Sequence, residues 1–154
     1  MRFEGHAGLS LLIVSVVLFI FDFRNYESII AGLLVVGFSS LPDLDLSWEI
    51  PHRRYTHNIL FGFISGLIFG FLFMYSGLNF VLGFVGGFGG TICHLIGDSF
   101  TFMKFKPLWP FSNLEVGLGF FKSSDVKINE VFLTIGALSF VFLYVIKLGI
   151  LKFP

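Results

Sequence analysis

Five apolar runs divide this chain, at residues 7–21, 29–41, 59–76, 80–96 and 131–150. A helix that crosses the hydrocarbon core of a bilayer needs about 20 residues at about 1.5 Å rise each. The third, fourth and fifth runs meet that length. The first two are short for a span. They cross a locally thinned bilayer, extend through polar ends (4–23 for the first), or dip in as re-entrant helices. Charge content agrees, since 13% of residues are charged against about 25% in a soluble domain. The expected fold class is all-α: a polytopic integral membrane protein with about five membrane helices, the first two short. Residues 1–154 are expected to form a single membrane-embedded domain.

The N-terminal run has the look of a signal peptide, with Arg2 before an apolar stretch. It ends in FDFRNYES without a small-x-small cleavage site, so it reads as a retained first helix. Formal net charge is zero, which removes any bulk electrostatic argument for a nucleic-acid partner. Cys93 is the single cysteine. It has no intramolecular partner and reads as a small packing residue.

Five crossings put alternate loops on opposite faces. The N-terminus, the loop 42–58 and the connection 99–130 then share one face. That face carries Arg2, Arg53, Arg54, Lys104, Lys106, Lys122 and Lys127; the other carries Arg24, Lys147 and Lys152. The excess of Lys and Arg marks the N-terminal face as cytoplasmic. Gly62, Gly66 and Gly70, with Gly83 and Gly87, and Gly86 with Gly90, recur at four-residue spacing, which lets helix backbones approach closely. Runs three and four are expected to form a hairpin through the short link 76–79. GFVGGFGG lacks the Lys-Ser/Thr ending of a phosphate loop and sits in an apolar helix. The connection 100–129 mixes lysines with Phe and Trp. It is expected to be an irregular interfacial segment after the fourth helix, with Lys104 and Lys106 as membrane-surface anchors.

Polar chemistry concentrates in LPDLDLSWEIPHRRYTHN, residues 41–58. This stretch holds Asp43, Asp45, His52, His57, Arg53 and Arg54. His6 lies at the same end of the first run, and His94 and Asp98 at the same end of the fourth, one helical turn apart. All four histidines therefore fall on one face. Seven groups converge as candidate ligands: His6, Asp43, Asp45, His52, His57, His94 and Asp98. Imidazole with carboxylate suits zinc, manganese or iron. Seven exceeds the three or four that one zinc takes, so the set implies two or more ions, or one ion plus a catalytic base. Bland readings stand beside this one. His6 near a terminus is also read as a solvated side chain, and Pro-Asp at 42–43 as turn chemistry. His94 and Asp98 resist such readings, because ionisable groups at membrane depth are costly.

The order His6, PDLD at 42–45, HRRYTH at 52–57, H-x3-D at 94–98 with Thr101, and PLWPFS at 107–112 resembles the YdjM-like inner-membrane proteins, LexA-regulated predicted metal-dependent hydrolases. The chain departs from that pattern at Arg54 and Asn58. The family is in turn distantly similar to zinc-dependent phospholipase C and the zinc-dependent single-strand nucleases. The resemblance implies an inner-membrane enzyme in which the seven groups are metal ligands or the catalytic base. The residue types supply the rest. Asp45, Asp98 and Arg53 are the expected catalytic groups, Arg53 and Arg54 the phosphate clamp, and Thr56 and Thr101 the hydroxyls that orient ligands. The expected function is a phosphoesterase, phospholipase C-like or a lipid phosphatase, using divalent ions and membrane lipid as substrate. Zinc is the first choice of metal, with manganese or magnesium as alternatives. The rival reading is a non-enzymatic metal protein: a sensor, a transporter or a structural metal site.

Overall fold

The computed structural model describes residues 1–23, 25–47, 53 and 55–147. Among these the regular structure is helical, with no strand. The long helices are α1 (Phe3–Ile20), α2 (Tyr26–Phe38), α4 (Ile59–Tyr75), α5 (Phe80–Ser99) and α6 (Val126–Lys147); a one-turn α3 (Leu44–Ser47) follows a 3-10 turn at Leu41–Asp43. Among the described residues, four stretches are long and apolar enough to cross a membrane: Phe3–Ile20, Tyr26–Leu46, Phe80–Ser99 and Val126–Leu143. The shorter Ile59–Tyr75 is also apolar. The protein is a polytopic, all-α membrane protein.

The helix ends follow local chemistry. α2, α4 and α5 each begin after an asparagine whose side chain accepts a hydrogen bond from the new helix: Asn25 from Ser28 N, Asn58 from Phe61 N and Asn79 from Val81 N, each at 2.8 Å. Those contacts satisfy backbone donors that a membrane offers no water for. α1 starts well before its apolar run, at Phe3. It gains the length of a span by taking Glu4 and His6 into its first turns. The second stretch gains it by continuing through the 3-10 turn into α3. Among the described residues the shortest of these long helices is α2, with 13 residues, in keeping with the short second run, and α4 follows with 17.

Packing is pairwise: α4 on α5, α1 on α6, and α2 on α5, with α1 also touching α2 and α5. The α4–α5 hairpin uses the expected glycines. A Cβ on Gly87 would lie 2.9 Å from the Ser65 carbonyl oxygen. The α1–α6 seam depends on two glycines that spacing did not flag, since a Cβ on Gly136 would collide with the Gly8 carbonyl. Val14, Leu18, Val35 and Cys93 form the central apolar cluster, so Cys93 packs as expected. Between α5 and α6, residues 100–125 form a folded, irregular lobe tied by bridges Thr101–Phe121 and Phe105–Val116. This arrangement brings the start of α1, the ends of α2 and α5, and the start of α4 to one end of the bundle.

Candidate metal centre

Four chain elements each contribute to one buried cluster. His6 sits in the first turns of α1, Asp43 ends the 3-10 turn, His57 precedes the Asn58 cap of α4, and His94 and Asp98 occupy the last turns of α5. His6, His57, His94 and Asp98 are almost fully buried, and Asp43 is 23% exposed. His57 Nε2 lies 3.4 Å from Asp43 Oδ1, 3.5 Å from Asp98 Oδ2 and 3.1 Å from His94 Nε2. His94 Nε2 is 3.6 Å from both Asp43 Oδ1 and Asp98 Oδ2. His6 stacks on His94 with centroids 3.8 Å apart, and its Nε2 is 3.5 Å from Asp98 Oδ1. Among the described residues, two triads have ligand atoms close enough to hold an ion, His6–His94–Asp98 and Asp43–His57–His94. They share His94.

The surrounding hydrogen bonds set which nitrogens face inward. His94 Nδ1 is 2.8 Å from the Ser39 carbonyl. A carbonyl only accepts, so Nδ1 carries the proton there and Nε2 is the nitrogen that faces the cluster. Thr56 donates its hydroxyl to Asp45 Oδ2 at 2.7 Å. Its oxygen therefore accepts from His57 Nδ1 at 2.9 Å, and His57 Nε2 faces the cluster as well. Burial pushes the His57 imidazole below its ordinary value, with the nearby His94 acting in the same direction and Asp43 against it, which favours the neutral ring. The two Nε2 atoms thus face each other at 3.1 Å, a spacing at which one cation could take both as ligands. His6 adds a second sign, because both its ring nitrogens are buried without a hydrogen bond. Three imidazoles and two carboxylates converging at these distances fit a divalent ion.

Asp45 and Arg53 stand behind this inner set. Asp45 Oδ2 accepts from Thr56 and from Arg53 N at 3.1 Å, and lies 3.5 Å from His57 Nδ1. It therefore orients His57, as carboxylates behind ligating histidines do. Arg53 adopts a left-handed backbone, φ 64°, which turns its side chain inward. Its Nη2 is 2.7 Å from Asp98 Oδ2, and its Nη1 donates to Met103 O and, at 3.5 Å, to Thr101 Oγ1. Thr101 in turn donates to the Asp98 carbonyl at 2.9 Å, ending α5. Of the expected site residues, His52 and Arg54 lie outside the described residues.

Some contributors had no sequence signal. The Ser39 carbonyl is a backbone group and is invisible to residue type. The Met1 amino group is 2.5 Å from Asp98 Oδ1. Asn129 is buried at the start of α6, accepts from Arg2 N at 3.0 Å and donates to the Ser123 carbonyl at 3.1 Å, which holds the start of α1 against α6. Gly97 was findable: it lies between His94 and Asp98, and a Cβ there would come within 3.0 Å of His6 Nδ1.

A family model, the YdjM inner membrane protein, matches residues 1–152. The chain belongs to that family. No curated protein and no solved structure gives a significant match. The YdjM assignment supports a multi-pass inner-membrane protein, in accord with the apolar helices.

Proposed function

We propose that this YdjM-family protein is a membrane-bound, metal-dependent hydrolase that cleaves a phosphoester, with a phospholipid or lipid phosphate as substrate. The observation that carries the reading is the approach of His57 Nε2 and His94 Nε2 to 3.1 Å, flanked by Asp43 and Asp98, with the opposite nitrogen of each ring already hydrogen-bonded. A divalent ion bound there would polarise a phosphoryl oxygen and lower the pKa of a bound water towards about 7. Three imidazoles favour zinc over magnesium, which prefers oxygen ligands.

The chain's own residues divide the remaining work. Asp45 and Thr56 hold His57 in the tautomer that ligates. The Ser39 carbonyl does the same for His94. Arg53 neutralises Asp98 and fixes its second oxygen. Asp43 is the more exposed carboxylate, and it takes the proton of an incoming water. The lipid assignment rests on the position of the cluster at one end of a membrane bundle. The excess of basic residues on this end supports a cytoplasmic orientation.

A structural metal is the second reading, favoured by the 0% exposure of the three histidine side chains. The test is release of phosphate or headgroup from a panel of lipids by zinc-loaded wild type, Asp43→Asn and His94→Ala. Turnover in wild type that both variants lose supports the hydrolase. Bound metal without turnover on any phosphoester supports the structural site.

A further inference from the structure

The lobe at 100–125 bears an unusual surface for a loop. Phe102, Met103, Leu108, Phe111, Leu118 and Phe120 are all exposed, Phe111 at 82%. They are not loose. Phe105 and Phe121 are buried beneath them, and the two bridges close the lobe. Phe102 N donates to the Phe121 carbonyl at 3.3 Å, and Phe120 N to the Phe100 carbonyl at 2.8 Å. Folding has therefore fixed these side chains outward. Both ends of the lobe run directly into membrane-spanning helices, α5 ending at Ser99 and α6 starting at Val126. A membrane surface is necessarily within reach.

Charge identifies which surface. Lys104, Lys106 and Lys122 lie among these apolar groups. Lys104 and Lys122 are exposed, and Lys106 is half-buried with its Nζ 3.1 Å from Asn113 Oδ1. The acidic residues of the lobe are Glu115 and Asp125, and Asp125 is engaged in capping Ile128 N at 3.2 Å. Apolar side chains interleaved with lysines match the boundary between acyl chains and anionic headgroups.

We infer that residues 102–122 form a platform embedded in the leaflet, in which Lys104, Lys106 and Lys122 bind anionic phospholipid headgroups. The platform adjoins the metal cluster. Arg53 reaches its Met103 carbonyl, the Pro107 carbonyl accepts from Ile59 N at 2.9 Å, and Trp109 packs edge-on to Tyr55 at 5.5 Å. It concentrates anionic lipid beside the cluster whether or not the cluster hydrolyses it.

The test uses full-length protein carrying Trp48→Phe, so that Trp109 is the sole tryptophan. It is reconstituted in vesicles of phosphatidylcholine with phosphatidylglycerol at equal mole fraction, brominated on one lipid or the other. Expected is stronger quenching of Trp109 by brominated phosphatidylglycerol than by brominated phosphatidylcholine. At about fivefold enrichment for each lysine, the preference should vanish in Lys104→Gln/Lys106→Gln/Lys122→Gln. Quenching by brominated phosphatidylcholine persists in that variant and reports that the lobe is still folded into the leaflet. Equal quenching by both lipids in wild type, a preference that survives the triple substitution, or no quenching by either lipid would overturn the platform. None of these outcomes depends on catalysis.

Discussion

His57 Nε2 and His94 Nε2 approach to 3.1 Å with the opposite nitrogen of each ring already committed, His57 to Thr56 and His94 to the Ser39 carbonyl. With Asp43 and Asp98 within 3.4–3.6 Å of the same pair, the arrangement gathers four candidate ligand atoms around one point. The helices converge on this pair, and the behaviour of the protein should follow from it.

The orienting groups should tune metal affinity without providing ligands. Thr56→Val removes the hydroxyl that links Asp45 to His57. Metal affinity should fall about 10–100-fold, with an unchanged number of ions at saturation. Zinc titration against a competing chelator reads both quantities. Loss of a bound ion at saturation would instead place Thr56 in the inner set.

Arg53 should matter most when metal is absent. It pairs with Asp98 at 2.7 Å where both side chains are buried. Arg53→Gln leaves that carboxylate short of a partner, a change that costs about 3–5 kcal/mol for a buried pair. Metal on Asp98 offsets part of the loss. The melting temperature of Arg53→Gln should therefore drop further below wild type in EDTA than in zinc. Equal drops in both conditions would separate Arg53 from the metal cluster.

The glycine seams predict unequal tolerance to one added methyl group. Gly136→Ala drives a Cβ into the Gly8 carbonyl, and Gly37→Ala meets nothing within 4 Å. The first should destabilise by about 1–3 kcal/mol. The second should be neutral or stabilising by up to about 1 kcal/mol from helix propensity. Thermal unfolding in detergent compares them directly.

Acid should weaken the metal-free protein through His57. Its imidazole is held below the ordinary value, chiefly by burial. The unfolded chain then binds more protons than the folded one as pH falls through about 6.5. Stability is complete above that pH and declines below it. His57→Gln should flatten the decline between pH 7 and pH 5, measured by thermal unfolding in EDTA. An unchanged slope would assign the acid sensitivity elsewhere.

Much of this site could be read from residue spacing, for identifiable reasons. His94 and Asp98 stand four apart inside an apolar run, so one helix face had to carry both. The parity of five crossings then brought His6, the 42–58 loop and the end of α5 to one end. The inner and outer roles of Asp43 and Asp45 were not readable, because two residues of offset in an irregular turn send side chains in directions that only packing decides. The inward turn of Arg53 depends on a positive φ that an arginine does not announce. Gly8 and Gly136 lack the four-residue repeats that marked α4 and α5, and Asn129 looked like the end of a linker. The lobe at 100–125 was readable as aromatic and basic. Its fixed apolar exterior depends on bridges between residues some 11 to 20 positions apart.

The most direct measurement is zinc X-ray absorption on the purified, zinc-loaded protein, with metal content measured on the same sample. The proposed centre predicts bound zinc with a nitrogen and oxygen first shell, strong imidazole multiple scattering and no sulfur contribution, and loss of that imidazole signal in His57→Ala/His94→Ala. Folded wild-type protein that retains no divalent metal, or zinc held by sulfur from Cys93, would contradict it.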